Sequence, residues 1–132
     1  MHLEIKGSGP IVLLLHGMPQ RPGSCWQLGQ HLTDDYTVVV PSLPGYGASP
    51  ALAPYDFAQV DAALVAELKQ RGLADVHAIV GLSGGAYRAL RLAVHGHLSP
   101  QFLGLFGAIA GPMDDGHKAL FHDFAAALRQ GV

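Results

Sequence analysis

Ala78–Ile79–Val80–Gly81–Leu82–Ser83–Gly84–Gly85–Ala86–Tyr87–Arg88–Ala89–Leu90–Arg91–Leu92 is the stretch whose reading decides the fold. Its opening residues form a short apolar run, which reads as a buried strand. Its closing residues carry apolar side chains at helical spacing. Between the two stands Ser83, with Gly81 two residues before it and Gly85 two residues after it. A strand that reverses straight into a helix holds its turn serine at a strained, positive φ. The residues two before and two after then approach so closely that a Cβ would clash, so both are glycine. The turn lifts the Ser83 hydroxyl clear of the sheet, and the helix N-terminus aims its free N–H groups at the same spot. The pentapeptide alone also fits a tightly packed glycine-rich turn with no chemistry. The strand before it and the helix after it favour a nucleophile elbow.

Outward from this point the chain alternates strands and helices. Toward the N-terminus, Val76–Leu82 is the strand that feeds the elbow. Before it, Phe57, Val60, Leu64 and Leu68 form a helical stripe, started by Asp56 as N-cap and stopped by Gly72. Pro41–Pro54 is a Pro/Gly loop containing Pro44-Gly45-Tyr46-Gly47. Tyr36–Val40 is a second buried strand, and a helix is expected over Cys25–Leu32. Ile11–Leu15 is a continuous aliphatic run, suited to a central strand buried on both faces. It leads directly into His16-Gly17-Met18-Pro19. Met1–Lys6 alternates apolar and polar residues and reads as an edge strand. Toward the C-terminus, the elbow helix runs to about Val94. Phe102–Ala110 reads as a further buried strand and Lys118–Arg129 as a last helix.

Strands separated by helices predict one doubly wound, mostly parallel α/β sheet over residues 1–132. In such sheets ligands sit at the carboxyl ends of the strands. His16-Gly17-Met18, Ser83 and Asp114-Asp115 all fall at those ends.

Composition narrows the function. Charged residues are 14% of the chain, against about 25% in an ordinary domain, and apolar residues are 49%, so there is much surface to bury. A net charge of −2 without a basic cluster argues against nucleic acid. Cys25 stands alone, so no intrachain disulfide forms, and a reducing, cytoplasmic setting is expected. No apolar run is long enough to span a bilayer, and the N-terminus lacks the pattern of a secretory signal. No cluster has zinc-binding spacing, and Gly45-Tyr46-Gly47 lacks the third glycine of a dinucleotide fingerprint, so neither metal nor cofactor is expected. His95 and His97 fall at the end of the elbow helix, away from the strand ends.

Three pieces of the sequence carry a resemblance: Leu13-Leu14-Leu15-His16-Gly17-Met18-Pro19, Pro44-Gly45-Tyr46-Gly47-Ala48-Ser49 and Gly81-Leu82-Ser83-Gly84-Gly85. In order and spacing the chain resembles the N-terminal half of the α/β-hydrolase fold, in the branch with an HGxP loop. The resemblance implies that Ser83 is the nucleophile and that the N–H groups of Met18 and Gly84 form the oxyanion hole. In the family the position of His16 shapes the loop, with the general base as its alternative role; His16 and Tyr46 are taken as the substrate-binding candidates, Tyr46 either lining a pocket or packing its loop down. A serine at the elbow speaks against the dehalogenase and epoxide-hydrolase branches, which use an aspartate there. Hydrolysis of small carboxylic esters is the leading activity the resemblance implies, with lactonase, thioesterase, iminopeptidase and cofactor-free perhydrolase chemistry also open. The chain departs from the family at Ser42, where an aspartate is common, and more seriously in length, which truncates the fold.

A hydroxyl needs a base to act near neutral pH, and the family's histidine belongs to the part beyond this length. Three alternatives stand. Asp114 or Asp115 could serve as the acid, with His117 or His122 as the base; the reading preferred from the residues is that one of these aspartates caps the last helix and that both histidines sit on its solvent side. A second copy could bring the histidine, through a homodimer that pairs the Phe102–Ala110 edge and rebuilds a full sheet. Or the chain is a non-catalytic half-domain that folds by self-association.

Overall fold

The computed structural model describes residues 1–17 and 20–107, together with Asp115 and Ala126. It contains a five-stranded sheet in the order β1-β3-β2-β4-β5. β1 is His2–Lys6, β2 Ile11–Leu15, β3 Thr37–Ser42, β4 Val76–Leu82 and β5 Phe102–Phe106. β1 runs antiparallel to β3, and every other pairing is parallel. The expected mostly parallel sheet is therefore present, with the aliphatic run Ile11–Leu15 at its centre.

Alternation along the strands sends side chains to two cores. Leu13, Leu15, Val39 and Ile79 meet Leu64, Leu68, Ala89 and Leu92 on one face. The two helices on this face are α2, Phe57–Gln70, and α3, Gly84–Val94. On the other face Val12, Leu14, Val38 and Val40 pack with Cys25, Trp26 and Leu32. The sheet is thus covered by helical segments on both sides, as a doubly wound fold requires.

α2 forms where its stripe predicts. The Asp56 carboxylate accepts from the N–H groups of Ala58 and Gln59 at 2.7 and 3.3 Å, which satisfies two of the helix's orphan donors. Val60, Leu64 and Leu68 lie buried against the sheet, and Gly72, at φ +70, takes the chain out of the helix.

Two expectations are corrected. The helix expected over Cys25–Leu32 is a 3-10 turn at Pro22–Cys25 followed by a single α-turn, α1, at Trp26–Gly29. Gly29 is wedged against the Trp26 ring, where a Cβ would come within 2.8 Å. Of the run Phe102–Ala110, read as buried, the described residues form β5 as far as Phe106, and β5 is exposed. Phe102 is 62% and Phe106 58% accessible. An apolar run reports composition alone. Here it lies at the margin of the sheet, where β4 is its one partner among the described residues. The helix expected over Lys118–Arg129 lies outside the described residues apart from Ala126, which is helical, as is Asp115 before it.

Candidate active site

The centre of the site is the junction of β4 and α3. Ser83 sits there at φ 52, ψ −115, the one non-glycine residue at positive φ among those described. Its carbonyl accepts from the N–H groups of Ala86 and Tyr87 and so starts α3, while its own N–H donates to the Phe106 carbonyl of β5 at 2.7 Å. The serine is exposed.

The flanking glycines have the close contacts expected of them. A Cβ on Gly81 would fall within the backbone of Gly85 and Ala86. One on Gly85 would overlap the carbonyls of Leu15 and His16 at the end of β2. The elbow is therefore locked against β2, and the loop leaving β2 passes beside Ser83. A Cβ on Gly17 would lie 3.1 Å from the Ser83 Cβ and 2.8 Å from the Leu82 carbonyl oxygen. Gly17 must thus be small so that the β2 loop can close on the serine.

His16 is fully buried behind this contact. Its Nδ1 lies 3.0 Å from the Gly17 carbonyl, and its Nε2 accepts from the Leu43 N–H at 3.3 Å. A carbonyl requires a donor and an N–H requires an acceptor, so the ring is neutral with its proton on Nδ1. Burial lowers the pKa of His16 most, with the positive charge of Arg88 pushing in the same direction. The Tyr46 ring meets the imidazole edge-on, with centroids 4.8 Å apart. Burial, and after it the neighbouring Tyr55, raises the Tyr46 pKa, so the phenol keeps its proton.

The structure brings His16, Ser83 and Gly84 to the carboxyl ends of β2 and β4, with Tyr46 in the loop after β3 packed on His16. Met18, Asp114, His117 and His122 lie outside the described residues. Among the described residues no group of His, Cys, Asp and Glu could hold a metal ion. No helix among them is long and apolar enough to cross a membrane. Burial pushes the Cys25 thiol up to about 11, so it is neutral and a poor nucleophile.

One cluster escapes the sequence reading. Asp61 of α2 and Arg88 of α3 are both buried, and the Asp61 carboxylate pairs with the guanidinium groups of Arg88 and Arg91. Arg88 Nη2 also donates to the Tyr55 hydroxyl at 2.8 Å. The available signal was position. Asp61 adjoins the apolar stripe of α2, and Arg88 stands between Gly85 and Ala89 on the buried side of α3, so each puts a charge on a core-facing stripe.

Comparison with known proteins follows the same lines. A family model described as the alpha/beta hydrolase family matches residues 12–131. Epoxide hydrolase 3 from Siraitia grosvenorii is 32% identical over 141 residues, covering 93% of this chain and 42% of that protein. A pimeloyl-[acyl-carrier protein] methyl ester esterase from Stenotrophomonas maltophilia is 41% identical over 49 residues, covering 37% of this chain and 19% of that one. Among solved structures, an esterase from Exiguobacterium antarcticum superposes with a TM-score of 0.76 at 28% identity, over 92% of this chain and 50% of the other. Each of these three matches covers half or less of the relative's own length.

Proposed function

The chain belongs to the alpha/beta hydrolase family, and on that premise we propose that it is a serine hydrolase of small carboxylic esters, acting through an acyl-enzyme on Ser83. The observation that carries this reading is the exposed Ser83 at φ 52 on the head of α3, with Gly17 closed against it. The esterase names among its relatives support ester chemistry for this chain. The epoxide-hydrolase name does so less, because the resemblance assigns that branch an aspartate where Ser83 stands.

In this reading Ser83 Oγ adds to the ester carbonyl carbon while its proton passes to a histidine. The N–H groups of Gly84 and Met18 hold the oxyanion as it develops. The C–O bond to the alcohol breaks, and the alcohol leaves with the proton. Water then attacks the acyl carbon, giving a proton to the same histidine, and the carboxylic acid leaves as Ser83 Oγ regains it. His117 takes the role of base and Asp114 that of its orienting acid. His16 is set aside as base, since both its ring nitrogens are already engaged. It serves substrate binding through the loops it joins, and Tyr46 is the ring those loops present. The proposed assembly is a homodimer through the β5 edge, in a cytoplasmic setting.

A fluorophosphonate probe tests the reading. The expected result is labelling of the wild type at Ser83, lost in Ser83→Ala, with p-nitrophenyl acetate hydrolysis lost in the same variant. A folded wild-type protein that takes no label would overturn it and leave a half-domain that keeps the fold without the chemistry.

A further inference from the structure

The loop 43–55, which carries Tyr46, is tied to the site at both ends. At its start the Leu43 N–H donates to His16 Nε2 at 3.3 Å, on the loop that leaves β2. At its finish the Tyr55 hydroxyl accepts from Arg88 Nη2 at 2.8 Å, on the helix that Ser83 begins. Between the two anchors the loop is folded on itself. The N–H of Gly45 donates to the Pro50 carbonyl at 3.1 Å, and that of Ser49 to the Tyr46 carbonyl at 3.0 Å. The Ser49 hydroxyl also accepts from the His2 N–H at 3.0 Å, which adds a tie to β1.

The Arg88 anchor is a costly arrangement to keep for stability alone. One buried carboxylate, Asp61, serves two guanidinium groups. Arg88 is 1% accessible, and its Nε has no hydrogen-bond partner among the described residues. Buried ion pairs of this kind often contribute no more to stability than apolar residues of the same volume, and an unpaired buried donor adds a desolvation cost. What the arrangement does supply is direction. Asp61 on α2 fixes the Arg88 guanidinium, and the planar group, with its fork of donors, then has a free edge for Tyr55. The Phe57 ring stacks on the same guanidinium, with its centroid 5.3 Å from Cζ, and keeps its plane in place.

We propose that Arg88 is a positioning residue: oriented by Asp61, it clamps the Tyr55 end of the loop 43–55 to the elbow helix and so sets where that loop meets a substrate bound at Ser83. The inference rests on the ester-hydrolase reading for its kinetic consequence and on the hydrogen bonds alone for its structural one. The elbow itself is held by Gly81, Gly85 and β2, so loss of the clamp frees the loop and leaves Ser83 in place.

Tyr55→Phe is the decisive variant, because it removes a single hydroxyl from a side chain that is 37% accessible and keeps the ring contact with Phe57. Two readouts are taken on the whole chain. In hydrogen exchange, the amides of Gly45, Tyr46 and Ser49 exchange at least threefold faster than in the wild type, while those of β4 are unchanged. In saturation labelling with a fluorophosphonate, the half-saturating concentration rises at least threefold and the limiting rate constant stays the same. Arg88→Met should reproduce both effects more strongly if it folds. Unchanged exchange in the loop, or a loss confined to the limiting rate constant, overturns the clamp. A wild type that takes no label counts against the ester-hydrolase reading, and the exchange result still decides the clamp.

Discussion

His16 carries two hydrogen bonds that fix its protonation, and this has a consequence in pH. Protonation of Nε2 would turn the acceptor of the Leu43 N–H into a second donor facing it. The folded state therefore holds the pKa below the ordinary 6.5, chiefly through burial. A base with a depressed folded pKa binds fewer protons folded than unfolded. Its contribution to stability is complete above pH 6.5 and is lost as pH falls below it. The unfolding free energy, from urea curves between about pH 7.5 and 5.5, should fall with a slope of up to ~1.4 kcal/mol per pH unit from this group. In His16→Gln the slope flattens by that amount; an equal slope in both proteins rules the assignment out. Ser83 shows the complementary case, in which strain at φ 52 is imposed by neighbours that cannot move. Gly81 and Gly85 let three stretches of backbone meet at one place, the ends of β4 and β2 and the head of α3, and Gly17 lets the loop leaving β2 approach the serine.

At the scale of elements, α2 and α3 are built alike, each with an apolar stripe toward the sheet and one buried charge set beside it. α2 depends on its cap. Asp56 accepts from two N–H groups at the head of the helix, and replacing it by alanine should cost about 1 kcal/mol. The urea midpoint of Asp56→Ala checks this, and a change within error of zero would mean that solvent satisfies those donors equally well. α1 shows where local signals mislead. Trp26, Leu28 and Leu32 suggest a helical stripe, yet Pro22, Gly23 and Gly29 keep the segment to a 3-10 turn and a single turn of helix, and Leu28 is 41% accessible. The segment still does its work, because Trp26 closes the second core and its Nε1 donates to Glu4 of β1 at 2.7 Å.

For the whole molecule the asymmetry of the sheet matters most. Among the described residues β1 is one margin and β5 the other, and β5 is apolar on both sides with its residues largely exposed. A strand of this kind is a template for pairing. Its sequence, Phe102-Leu103-Gly104-Leu105-Phe106, reads the same in both directions. An antiparallel pair of two such strands across a two-fold axis at Gly104 sets like against like along its length, as an isologous interface requires. The proposed homodimer therefore predicts a dimeric mass by light scattering at tens of micromolar, and a monomeric mass for Leu103→Lys, since an edge lysine blocks pairing. A monomeric wild type at that concentration would remove the dimer from the proposal. It would leave the elbow intact, because the Ser83 N–H is held by β5 of its own chain.

The order of strands and helices, the central place of Ile11–Leu15, the start of α2 at Asp56 and the elbow at Ser83 were all determined by the sequence by itself. Each follows from short-range causes: side-chain periodicity, a capping carboxylate, and glycines where two backbones must touch. The neutral tautomer of His16, the pairing of Asp61 with Arg88, and the exposure of β5 were decided by the tertiary structure alone. His16 and Leu43, like Asp61 and Arg88, are 27 residues apart in the chain. Position marks Asp61 and Arg88 each as a charge on a core-facing stripe, but no local pattern names either residue's partner, because the partners meet only after the crossovers bring β2, β3, α2 and α3 side by side. The exposure of β5 has the same origin. Apolar composition says that a strand can be buried, and its place in the sheet decides whether anything covers it.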